Sequence, residues 1–122
     1  MSYNYEVIHR SLDLVATMQT GIEYIRARFT EGKFEEMLPL LQDFTQAFIS
    51  IQQALQMGKE ETYARCFADY TEKIQSGLSE LVAAYELADW TRVVRALENE
   101  VVPGFILWKT ELDRYYVPRA AI

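Results

Sequence analysis

The sequence predicts an all-α protein, an up-down-up-down four-helix bundle, on three observations. Apolar residues recur in steps of three and four along four separate stretches, the spacing of one helical face. No stretch alternates apolar and polar residues, and no Asn-Gly or Asp-Gly hairpin turn occurs. Short joints near Gly32, Gly58 and Ala88 separate the stretches and favour antiparallel neighbours.

The first stripe is Ile8, Ser11, Val15, Met18, Ile22, Ile25 and Phe29, with Arg26 and Arg28 in a last turn where cations suit the helix dipole. The second is Phe34, Leu38, Leu41, Thr45, Phe48, Ile51 and Leu55, opened by Glu35 and Glu36 and closed by Gly58. Pro39 lies about five residues in, so it bends the first turns without stopping the helix. The third stripe is Tyr63, Phe67, Tyr70, Ile74, Leu78, Leu81 and Tyr85. The fourth is Trp90, Val94, Leu97, Val101, Phe105, Trp108, Leu112 and Tyr115. Asp89 is its N-cap, Pro103-Gly104 should kink it about midway, and Pro118 should end it.

The two halves are alike. A shift of 56 positions lays residues 18–41 over 74–97, so that Gly21 meets Gly77, Phe29 meets Tyr85, Gly32 meets Ala88 and Phe34 meets Trp90. A duplicated helical hairpin is the economical explanation. Glycine inside a helix costs about 1 kcal/mol relative to alanine. Gly21 and Gly77 at equivalent positions therefore predict two close helix crossings.

Composition bounds the function. The chain of 122 residues has 12 basic and 18 acidic side chains, a formal charge of −6, and suits one domain over residues 1–122. That balance offers no generic attraction to nucleic acid or anionic lipid. No apolar run approaches the roughly 20 residues of a membrane span, and the start of the chain lacks the apolar core of a signal peptide. A single cysteine fits a reducing, cytoplasmic setting and excludes an internal disulfide.

Reactive groups are sparse. Glu6-x-x-His9 has the spacing used in bundle di-iron sites, but His9 is the only histidine. Cys66 beside Phe67 reads as a packed hydrophobe, and a nucleophile there would need a base. No phosphate-binding glycine loop, dinucleotide fingerprint or nucleophile elbow occurs. Arg10, Arg26, Arg28, Arg65, Arg92 and Arg95 are interspersed with acids, the pattern of a salt-bridged helix surface. The expectation is no enzyme, no cofactor and no metal.

Two stretches carry resemblances. Gly32-Lys33-Phe34-Glu35-Glu36-Met37-Leu38-Pro39-Leu40-Leu41-Gln42-Asp43 and Ala96-Leu97-Glu98-Asn99-Glu100-Val101-Val102-Pro103 resemble small uncharacterised helical proteins of Gram-positive bacteria, a domain of unknown function. Asn99 stands where that pattern has an aromatic residue. The resemblance implies a helical fold and a bacterial source, and no reaction. Asp89-Trp90-Thr91-Arg92-Val93-Val94-Arg95-Ala96-Leu97-Glu98 is similar to the helix start of flagellar export chaperones, which are also small acidic bundles.

The resulting expectation is a non-enzymatic interaction, chaperone or adaptor protein that binds another protein or a second copy of itself. The alternative is a small-molecule or regulatory ligand in an inter-helix cavity near the Pro103-Gly104 kink. In an up-down-up-down bundle the chain start, the Gly58 turn and the chain end share one end. That end gathers Tyr3, Tyr5, Met57, Tyr63, Tyr115 and Tyr116, residue types enriched at interfaces. They form the candidate docking patch, or else a lid of rings over the core.

Overall fold

The computed structural model describes the backbone of residues 5–56 and 61–120 and the side chains of residues 6–54 and 69–117. Described residues outside two short turns are helical throughout, and no strand occurs among them. The elements are α1 (Tyr5–Thr30), α2 (Phe34–Gln56), α3 (Glu61–Glu86) and a fourth helix in three pieces. These pieces are α4 (Trp90–Ala96), a π-helical turn (Leu97–Val101) and α5 (Val102–Ala120). The all-α class read from the periodicity is the class observed. Two compact units divide the chain, the first built on the α1–α2 hairpin and the second spanning Glu61–Val117.

The two hairpins turn in the same way. The Gly32 amide donates to the Phe29 carbonyl at 3.0 Å and the Lys33 amide to the Arg28 carbonyl at 2.8 Å. At the matching positions Ala88 donates to Tyr85 at 3.0 Å and Asp89 to Ala84 at 2.9 Å. Both are Schellman closures, which satisfy the last carbonyls of a helix by placing one residue in the left-handed region. That residue is Gly32 at φ 75° in one hairpin and Ala88 at φ 53° in the other. Each turn is bracketed by an edge-on aromatic pair, Phe29–Phe34 at 5.0 Å and Tyr85–Trp90 at 5.4 Å. Asp89 caps the fourth helix as expected, its carboxylate accepting the Arg92 amide at 3.3 Å.

In the first unit α1 buries Ile8, Ser11, Val15, Met18, Ile22 and Ile25, the face read from the sequence. The buried face of α2 is rotated from the expected one. Met37, Leu41, Phe44, Phe48 and Ile51 are buried, whereas Phe34, Leu38 and Thr45 are only half-buried. Two stripes overlap on this helix, sharing Leu41, Phe48 and Ile51. Met37 and Phe44 remove more apolar area from water than Thr45 can, and the core takes that side. The Thr45 hydroxyl instead donates to the Leu41 carbonyl at 2.9 Å. Helix α2 runs on through Pro39.

The second unit packs α3 against α4 and the π-helical turn. The Val102 amide donates to the Leu97 carbonyl, five residues back, which marks the widened turn. Pro103 explains its place. A proline ring collides with the carbonyl four residues earlier, here Asn99, and has no N–H to offer it. Widening the turn just ahead of Pro103 relieves both problems while the helix continues.

Gly77 receives this turn. A Cβ on Gly77 would lie 2.9 Å from both the Glu100 Cβ and the Val101 Cγ2, and 3.1 Å from the Val101 backbone nitrogen. One on Gly104 would lie 3.1 Å from the Ile74 Cγ1. The expected crossing at Gly77 is therefore present. Its counterpart is not: a Cβ on Gly21 would meet nothing within 4 Å. The turns of the two hairpins match while their interiors differ, because only the second contains a π-turn that must be let in.

The π-turn also shifts the fourth stripe. Before it Val93 and Ala96 are buried, as is Leu97 at its start, and Val94, expected inside, is 37% exposed. From its last residue onward Val101, Phe105, Trp108, Leu112 and Tyr116 are buried. An added residue in one turn rotates the face, so a single uninterrupted stripe misassigns its start. Pro118 does not end the helix, which runs to Ala120. Its missing N–H leaves the Arg114 carbonyl without its usual i+4 donor, and the helix closes two residues later.

Candidate functional site

A concavity of the second unit lies between α3 and the α4–π-turn segment, a groove of about 590 Å³. Its α3 wall carries Lys73, Ser76 and Glu80, and its other wall Arg92, Arg95, Ala96, Asn99 and Glu100. Both walls repeat at helical spacing, 73-76-80 and 92-95-99, so each presents one polar edge flanking the Gly77 contact. Closeness at Gly77 is what sets two charged edges facing each other.

The groove has one fixed charge pair. Arg92 donates from Nε and Nη2 to the same Glu80 oxygen, at 2.9 and 2.6 Å. That hydrogen bond, and then the Glu80 charge, raises the arginine further above its ordinary value, so it stays charged at every working pH. Lys73 and Arg95 form no ion pair among the described residues, and the Lys73 stem runs beside Gly104. Glu100 starts against Gly77 and likewise has no ion-pair partner among the described residues. The lining thus offers two cations, one carboxylate, a serine hydroxyl and the Asn99 amide.

The reading of the arginines as a salt-bridged surface is right for Arg26 with Glu23 at 3.5 Å, Arg28 with Glu31 at 2.8 Å and Arg92 with Glu80. Arg10 pairs with Glu6, which engages half of the Glu6-x-x-His9 pair. His9 itself is exposed. Arg95 departs from the pattern, and Arg65 and Cys66 have side chains outside the described residues. Among the described residues no group of three or more His, Cys, Asp or Glu is placed to hold a metal ion.

The expected tyrosine patch is only partly described. Tyr3 and Met57 lie outside the described residues, as does the Gly58 turn, and so do the side chains of Tyr5 and Tyr63. Tyr115 is half-buried and meets Tyr116 edge-on at 4.7 Å. Tyr116 is 2% exposed, so it belongs to the core and offers no docking surface. Its ring falls four residues after Leu112, on the face that buries Phe105, Trp108 and Leu112.

A different apolar surface stands out on α5. Ile106 is 55% exposed, Leu107 45% and Val117 47%, on a helix whose other face buries Phe105, Trp108 and Leu112. Ile106 and Val117 are eleven residues apart, three turns along one face. Their signal in the sequence was the run Phe105-Ile106-Leu107-Trp108, four apolar residues in a row, of which one helical face can bury only part.

Residues 6–111 match the family described as Domain of unknown function (DUF8042), and the chain belongs to that family. No curated protein and no solved structure matches the chain. No helix among the described residues is long and apolar enough to cross a membrane.

Proposed function

We propose that this protein is a non-enzymatic, cytoplasmic docking module of the adaptor or chaperone kind, and that α5 presents its partner-binding face. The exposure of Ile106 and Leu107 supports this reading. Scattered surface apolar residues are ordinary. Here two consecutive large aliphatic residues are both exposed on α5, with Val117 three turns further along the Ile106 face. The partner is another protein or a second copy of the chain. An export or motility setting follows from the likeness of Asp89–Glu98 to flagellar export chaperones.

The test is the pair Ile106→Ser and Leu107→Ser, made together. Docking predicts that stability in the isolated chain changes by no more than about 0.5 kcal/mol, as for exposed positions. The mass of the native assembly, read by light scattering of the purified protein and by sizing in extracts of the source cell, should fall. A large loss of stability with the assembly unchanged assigns both side chains to the fold and overturns the reading.

A further inference from the structure

We infer that the groove between α3 and the π-turn is a binding site for a small polyanion, a phosphorylated or polycarboxylate molecule, held by Arg95 and Lys73. Four features support this. Three of the chain's 12 basic residues converge on one groove of a protein whose net charge is −6. One of them, Arg92, is paired with Glu80, whereas Arg95 and Lys73 form no ion pair among the described residues. Ser76 and Asn99 add hydrogen-bonding groups on opposite walls, the complement that oxygen-rich anions use. The volume of about 590 Å³ falls in the range of small-molecule sites, and its charged lining suits a polar ligand.

The backbone supports the placement. The Gly77 notch and the Pro103-driven π-turn hold the two walls together, and the Lys73 Cγ would lie 3.5 Å from a Cβ on Gly104. Lys73 is exposed, with the first carbons of its stem beside Gly104. Glu100 is the opposing charge at the site and weakens anion binding. This site does not use the apolar residues of α5, so either proposal can fail without the other.

The experiment is calorimetric titration of the full chain with inorganic pyrophosphate and, separately, with citrate, at constant ionic strength. The expected result is saturable one-to-one binding of at least one of them. Arg95→Gln and Lys73→Gln should each weaken it about tenfold, the loss expected of a hydrogen bond to a charged group. Glu100→Gln should tighten it. Glu35→Gln, which removes the same charge from exposed α2, should leave it unchanged, with circular dichroism verifying the fold of every variant. The proposal is overturned if neither anion saturates, if folded Arg95→Gln and Lys73→Gln bind as the parent does, or if Glu35→Gln shifts affinity as much as Glu100→Gln.

Discussion

Ala88 holds a backbone conformation that a Cβ disfavours, and its twin in the first hairpin is a glycine. The left-handed region costs a non-glycine residue about 1–2 kcal/mol. Ala88 at φ 53° bears that cost and Gly32 at φ 75° avoids it. Ala88→Gly should therefore raise stability by about 1 kcal/mol, and Gly32→Ala should lower it by a similar amount. Urea denaturation of the two variants measures both. The correspondence of these positions was legible from the 56-residue shift, because a Schellman turn leaves a sequence mark: a small residue after the helix and an aromatic on either side. The burial of Tyr116 was not legible. Adjacent Tyr115 and Tyr116 look alike, and only the phase of the helix decides which ring enters the core.

The π-turn is the feature of the second hairpin that periodicity conceals. Pro103-Gly104 signalled an interruption, yet a proline can be met by a kink, a break or a widened turn. The choice depends on the neighbour, and here the neighbour is Gly77, whose missing side chain admits Glu100 and Val101. Glycine predicted close contact correctly at position 77 and wrongly at 21, since a glycine reports freedom of space without saying that the space is used. The two positions should respond oppositely to alanine. At Gly77 overpacking costs roughly 1–3 kcal/mol, more than the helix propensity regained, so Gly77→Ala destabilises. At Gly21 the added methyl meets nothing within 4 Å, so Gly21→Ala stabilises by about 0.5–1 kcal/mol. Thermal melts of the pair check the sign at each site.

Class and helix order came from the spacing of apolar residues, and a turn chemistry repeated at 56 residues placed the two hairpins. The functional surfaces were harder to read. A groove forms where two polar edges from distant stretches meet, and no single stretch announces it. The α5 surface was hidden because apolar residues in a helix are first assigned to the core, and the stripe through Phe105, Trp108 and Leu112 left Ile106 and Leu107 unexplained. The groove residues and the Ile106–Leu107 pair fall within the matched residues 6–111, whereas Val117 lies beyond them, so the groove proposal and the centre of the docking proposal concern the family domain itself.

Docking through α5 is tested most directly by a photo-cross-linking residue placed at Ile106 in the source cell, with Gln42 on the exposed side of α2 as control. The prediction is one adduct of defined mass from position 106, either twice the chain or the chain plus one partner, lost when Leu107 is changed to serine and absent from position 42. No adduct from position 106, or equal labelling from both positions, would contradict it.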